Sequence, residues 1–173
     1  METNFKQSLA WVRHSEGGND DDPADSGGRT SRGITQRECD AYCRMAGLPH
    51  GDVWVAPDGL IDDIYHRSYW LPYGPIMPPG VDYMLFDDSV LSGPVTAIMT
   101  LQRALGVDAD GHIGVVTSEA LSKADHEHLI GTIAIARLAR YERIIHVRPK
   151  DLRFRRGWDA RVEFVRGNAL TLI

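Results

Sequence analysis

Several things are scarce in this chain of 173 residues, and each scarcity closes off a class of protein. Only two cysteines are present, Cys39 and Cys43. A disulfide-stapled domain needs more, and a zinc site needs a second Cys or His pair at short spacing, which neither has nearby. Both are expected to be reduced, partly buried thiols, four residues apart on one helix. No run of about 18 apolar residues occurs, so no stable membrane insertion is expected. The opening Met1-Glu2-Thr3-Asn4-Phe5-Lys6 offers neither a basic nor an apolar stretch, so no standard signal peptide is expected. The seven histidines are scattered. His126-Glu127-His128 lacks the i, i+4 pair that sets two ligands on one helical face, which argues against a zinc peptidase. The expectation is therefore no metal and no cofactor. Strand signals are also few, so the fold is expected to be mainly α.

Enough remains to build a folded protein. An apolar fraction of 43% supports a core, and the length fits one medium domain or a core with a small appended unit. The net charge of -5 conceals two unlike parts. Residues 1–136 carry 9 Lys+Arg against 20 Asp+Glu, whereas residues 137–173 carry 10 against 4. An acidic chain with no nucleic-acid motif argues against a nucleic-acid partner. The basic end either approaches an anionic envelope polymer or forms an Arg-rich face paired with acids of the same molecule.

Phe5, Leu9 and Val12 recur at helical spacing and predict a helix up to Glu16, which Gly17-Gly18 then stop. The Glu16 carboxylate falls on the lip of a polar loop bearing Asp20, Asp21, Asp22, Asp25, Thr30 and Ser31. Glycosidic-bond cleavage needs such a placement: one carboxylic acid protonates the leaving oxygen, and a group opposite stabilises the oxocarbenium-like centre or activates water. An ordinary exposed Glu before a Gly cap would look the same. Further along, Thr35-Gln36-Arg37-Glu38 reads as a capping box, opening a helix that Gly47 closes. Asp58 is expected to cap a helix through Trp70. Four prolines within 71–80 mark a rigid crossover, at whose start Tyr69, Trp70 and Tyr73 either face sugars or belong to the core. Helical patterning resumes at Val81, interrupted by Asp87 and Asp88. A helix from Pro94 to Gly106 follows. Asp108-Ala109-Asp110-Gly111 resembles a calcium loop but lacks its downstream acids; a turn before a Thr117-led helix is the better account. A long helix from Asp125 to about Ile145, ended by Pro149, and a last one around Trp158–Leu170 complete the pattern.

Six of these segments, in order over roughly residues 8–160, resemble the muramidases of glycoside hydrolase family 108, lysozyme-like enzymes of phages and bacteria. They are Glu16-Gly17-Gly18, Asp22-Pro23-Ala24-Asp25-Ser26-Gly27-Gly28 with Thr30-Ser31-Arg32-Gly33-Ile34-Thr35, Tyr69-Trp70, Phe86-Asp87-Asp88-Ser89-Val90, Leu101-Gln102-Arg103-Ala104-Leu105-Gly106-Val107, and Asp110-Gly111-His112-Ile113-Gly114 with Thr117. The last resembles the peptidoglycan-binding segment that usually ends these proteins. The resemblance implies a lysozyme-like helical fold with a polar Gly-rich active-site loop after the first helix. It implies residues 1–92 as the catalytic region and 93–173 as a peptidoglycan-binding-like region packed into the same unit. It implies cleavage of the β-1,4 bond between N-acetylmuramic acid and N-acetylglucosamine, by a phage or prophage endolysin. The enzyme would be a monomer, made in the host cytoplasm and acting on the wall after holin-type export.

Phage lysozymes of another family use a Glu, an Asp nine residues on, and a Thr six beyond that. Glu16 and Asp25 are nine apart and Thr30 is five further, so the first spacing matches and the second is one short. The implied roles are Glu16 as general acid, Asp25 stabilising positive charge or orienting water, and Thr30 holding that water. Asp20, Asp21 and Asp22 are alternatives for the second carboxylate. Thr35, Tyr69, Trp70, Asp87 and Gln102 are implied substrate contacts, and Asp87 has the alternatives of buttressing Glu16 or tying down a loop. Two competing activities stay open: a lytic transglycosylase on the same bond, and a non-catalytic cell-wall-binding protein.

Overall fold

Residues 2–16, 19–20 and 29–173 are described by the computed structural model. Gly17, Gly18, Asp21, Asp22 and Asp25 of the expected loop lie outside the described residues. The chain forms two compact units, one of residues 5–72 and one of residues 73–173 with 1–4. Among the described residues no helix is long and apolar enough to cross a membrane.

In the first unit, helix α1 (Glu2–Ser15) buries Leu9 and Val12, as their spacing predicts. Phe5 from the same stripe meets the rings of His66 at 4.6 Å and Trp70 at 5.5 Å. Three two-residue antiparallel strands follow: β1 (Asn19–Asp20), β2 (Thr30–Ser31) and β3 (Ile34–Thr35). Strands this short give no period-2 signal to read. Helix α2 (Gln36–Ala46) starts at the expected capping box, with Thr35 as N-cap, and ends at a left-handed Gly47. Thr35→Ala should lower the unfolding free energy measured in urea by about 1 kcal/mol, the usual worth of such a cap. Cys39 and Cys43 are free and buried on this helix; burial and the neighbouring Cys43 push the Cys39 thiol up to about 11.

Helix α3 (Asp58–Tyr65) passes into a π turn at His66–Trp70. Here the expected cap is corrected. Pro57 holds the N-cap position and Asp58 is the first helical residue, because its carboxylate is taken by Arg32.

In the second unit, helix α4 (Val81–Ser92) is central: every residue from Val81 to Ser89 is buried. A helix enclosed on all sides shows no amphipathic stripe, which is why Asp87 and Asp88 read as an interruption and are not one. Around it lie α5 (Pro94–Leu105), α6 (Val115–Lys123), α7 (His126–Val147) and α8 (Arg155–Leu170). Asp125 caps α7 by accepting from the His128 amide. Gly114, rather than Thr117, sits at the start of α6. At the start of α4, Gly80 has φ +81°, and a Cβ there would stand 2.6 Å from the Ala169 carbonyl and 2.7 Å from Ile130 Cδ1. Only glycine lets α7 and α8 come that close. The expectation of a mainly α chain holds.

Two buried acids bind α4 to its neighbours. Asp87 receives Arg137 Nη2 at 2.6 Å and Arg161 Nη2 at 2.8 Å. Asp88 receives both Nη atoms of Arg140, Nη1 at 2.9 Å, and lies 3.4 Å from Arg137 Nε. Arg140 also donates to Thr100 Oγ1 at 2.8 Å and Ser92 Oγ at 3.0 Å. Three arginines of the basic C-terminal stretch are thus spent on acids of the same unit.

Candidate active site

Glu16 follows the last turn of α1, its amide donating to the Val12 carbonyl at 3.0 Å. Its side chain is half-buried. What faces it is set by the tight hairpin between β2 and β3. Ser31 pairs with Ile34, which leaves Arg32 and Gly33 as a two-residue loop with φ +51° and +81°. Positive φ at both positions is the hairpin geometry that matches strand twist, and it normally selects Asn-Gly or Asp-Gly. Arginine in the first position costs about 1 kcal/mol. Its side chain is anchored three ways: to Asp58, to the Ala56 carbonyl at 2.7 Å and to Ser31 Oγ at 3.2 Å.

Holding Arg32 in this way fixes Gly33. A Cβ on Gly33 would stand 2.4 Å from the Tyr65 hydroxyl and 2.9 Å from both Cγ and Oε2 of Glu16. The acid and the phenol therefore converge on the same bare side of Gly33. The Tyr65 hydroxyl donates to the Arg32 carbonyl at 2.7 Å, so the same hairpin that receives Glu16 also orients Tyr65. Gly33→Ala should lower turnover about a hundredfold, the scale of a 1 Å displacement of a reacting group. The catalytic rate, set beside an unchanged far-ultraviolet dichroism spectrum, measures it.

One turn on, the half-buried Tyr69 hydroxyl donates to Glu38 Oε1. The other Glu38 oxygen accepts from the Thr35 amide at 2.9 Å and the Thr35 hydroxyl at 2.8 Å. Burial first, then the bond to Glu38 and the charges of Glu38 and Glu16, raise the Tyr69 phenol far above its ordinary range. Tyr69 is therefore a neutral donor at any working pH, close enough to sense the Glu16 charge without adding to it.

Thr30 and Thr35 are paired on β2 and β3 and so project from one face of the sheet, both half-buried. The opposite face carries Ser31 and Ile34, both buried. Trp54 closes the end of β2, donating from Nε1 to the Thr30 carbonyl at 3.1 Å and lying 3.9 Å beneath the Arg29 guanidinium.

Of the expected site residues, Glu16, Thr30, Thr35 and Tyr69 belong to this one unit, while Asp25 is outside the described residues. Trp70, Asp87 and Gln102 are corrected as substrate contacts, because each is buried and presents no surface to a glycan. Trp70 packs against Phe5. Asp87 is committed to Arg137 and Arg161. Gln102 Nε2 donates to Asp110 Oδ1 at 2.7 Å, the His112 carbonyl at 2.9 Å and Thr117 Oγ1 at 3.1 Å, and its Oε1 accepts from the Gly111 amide. Gln102 is the hub of the 108–114 loop. Asp110 there serves Gln102 and the His112 amide, which hold its carboxyl below the usual range. Tyr73, the third crossover aromatic, is likewise buried. The residues that sequence reasoning missed are Tyr65, Arg32, Glu38 and Trp54. Only the capping box hinted at one of them, and it gave no sign of the second partner of Glu38.

Comparison with known proteins identifies the family. The family model described as glycosyl hydrolase 108 matches residues 9–93, and one described as a predicted peptidoglycan domain matches residues 96–163. Among solved structures, Brucella abortus SagA is 32% identical, with 99% of this chain and 97% of that one covered at a TM-score of 0.84. No curated protein matches the chain.

Proposed function

The chain belongs to the glycosyl hydrolase 108 family and is a peptidoglycan hydrolase; on that premise we propose that it cleaves the β-1,4 bond between N-acetylmuramic acid and N-acetylglucosamine. The observation that carries this reading is Glu16 itself, half-buried and set against the bare backbone of Gly33 and the Tyr65 hydroxyl. A general acid must be held within hydrogen-bond reach of the leaving oxygen, and a side chain bounded by a helix end and a hairpin is held in that way. Glu16 delivers its proton to the glycosidic oxygen. The carboxylate of Asp25 faces the developing positive charge or orients water, and Thr30 holds that water. Tyr65 and Tyr69 form walls that keep the acid in place.

Residues 1–92 supply this chemistry and residues 93–173 contact the wall, a division supported by the two adjoining family matches. We take the enzyme to serve a phage or prophage in host lysis, as a monomer. Expressed inside a Gram-negative host, it should then lyse the cells only when a holin or an inner-membrane permeabiliser is supplied. Spontaneous lysis would sink the holin-dependent route.

The bond and the chemistry are tested together by mass analysis of fragments released from purified sacculi. Hydrolysis leaves reducing muramic acid ends, one water heavier than anhydro ends. Anhydro ends would reassign the enzyme to the lytic transglycosylases, and reducing glucosamine ends would move the cut to the other glycosidic bond. Binding without release would leave a wall-binding protein.

A further inference from the structure

We propose that the end of α7 and the turn after it form a docking surface for anionic lipid, distinct from the wall-cleaving site and independent of which bond that site cuts. Between residues 143 and 156 the chain carries six cations and one acid. That acid, Asp151, is taken up by Arg148 at 3.0 Å. Arg155 is occupied by Glu142 and Asp159. Among the described residues, Arg143, Lys150, Arg153 and Arg156 have no carboxylate partner. This leaves four exposed, uncompensated positive charges within fourteen residues.

The same segment exposes apolar side chains. Val147 is 76% exposed, Leu152 58% and Phe154 43%. They lie on the last turn of α7 and the 3-10 turn Pro149–Phe154, and the Arg153 guanidinium lies 4.5 Å over the Phe154 ring. Alternating cations and large apolar groups suit the boundary between lipid headgroups and acyl chains, where the cations meet phosphates and the apolar tips enter the hydrocarbon edge. A purely polar anionic polymer would make no use of Val147 and Leu152. Beside the turn, a groove of about 450 Å³ runs between α5 and α7. It is lined by Met99, Ile144 and Val147 together with Arg103, Arg143 and Arg148. Aliphatic side chains set among guanidinium groups fit a phosphodiester headgroup with its glycerol, as phosphatidylglycerol presents.

The test is co-sedimentation of the full chain with vesicles of phosphatidylcholine alone and of phosphatidylcholine mixed with phosphatidylglycerol. The protein should pellet with the mixed vesicles, not with the neutral ones, and added salt should release it. Lys150→Gln, Arg153→Gln and Arg156→Gln together should weaken binding more than tenfold, since each cation near such a surface contributes about fivefold. Leu152→Ser should weaken it separately. These side chains are exposed, and an unchanged thermal midpoint verifies that the variants fold. Equal pelleting with both vesicle types, no pelleting, or indifference to all four substitutions would overturn the proposal. So would a triple variant that loses affinity for sacculi but not for vesicles, which would make the surface a wall contact.

Discussion

Glu16→Gln should reduce the rate of sacculus solubilisation about 10³-fold while leaving the thermal midpoint within a degree or two of wild type. The magnitude follows from losing general-acid assistance to a poor leaving group, worth about 10² to 10⁴ in rate. The silence of the fold follows from the local geometry. Glutamine has the same shape, the neighbouring Gly33 presents no side chain, and an amide can meet the Tyr65 hydroxyl as readily as a carboxyl can. Binding to sacculi should persist, which separates this variant from one that has lost its substrate contacts. Asp25→Asn belongs in the same experiment. If Asp25 is the second carboxylate it should match Glu16→Gln in severity, whereas asparagine at Asp20, Asp21 or Asp22 should do little. A Glu16→Gln enzyme within tenfold of wild type would remove Glu16 as the acid.

The largest effect on stability is expected from Arg137→Ala, at about 3–5 kcal/mol. Arg137 is fully buried and bridges Asp87 and Asp88. Removing one partner of a buried pair strands the other charge in a medium that solvates it poorly. Against a total stability of about 5–15 kcal/mol, this is a large fraction of what holds the 73–173 unit folded. Chemical denaturation followed by near-ultraviolet dichroism would show it, and a loss below 1 kcal/mol would mean that water or a rearranged arginine replaces the guanidinium. The network also sets an acid limit. Burial alone would raise the Asp88 carboxyl, but the hydrogen bonds from Arg140 and the charges of Arg137 and Arg140 outweigh it and hold the group below its ordinary 3.8. A carboxylate depressed in the folded state contributes its full stabilisation above the unfolded value and loses it as pH falls through the folded one. Stability should therefore be insensitive to Asp88 near neutrality and fall once the pH drops below about 3.8.

Where the sequence was legible, local chemistry was sufficient. The capping box at Thr35, Gly47 and Gly106 beyond their helices, Asp125 ahead of α7 and Pro149 after it are all fixed by a few neighbouring atoms. Glu16 at a helix end is local in the same sense. What could not be read is long-range. Gln102 sits in a stretch that looks like a surface motif, and only the folded 108–114 loop reveals that all its hydrogen-bonding capacity is used internally. Asp87 and Asp88 look like polar breaks until α7 and α8 bring arginines to them. Trp70 and Tyr69 are adjacent and chemically similar, yet one is buried and the other half-exposed. The π turn that holds them both leaves no mark in residue type. The Arg32-Gly33 hairpin is intermediate: Gly33 hinted at a turn, but arginine in a left-handed position is held by Ser31, Ala56 and Asp58, the last 26 residues away.

Helix α4 makes the border between the two family segments a poor place for gene recombination. The glycosyl hydrolase 108 match ends at residue 93 and includes α4, yet the acids of α4 are neutralised by arginines at 137, 140 and 161, supplied by the segment beyond. A chimera joined at residues 93–96 would carry two buried carboxylates into a new partner that has nothing to neutralise them, and would deprive the donor of the helix its arginines enclose. Swapping the wall-binding half of such an enzyme should succeed only when the junction is moved upstream of Gly80, so that α4 travels with the arginines that hold it.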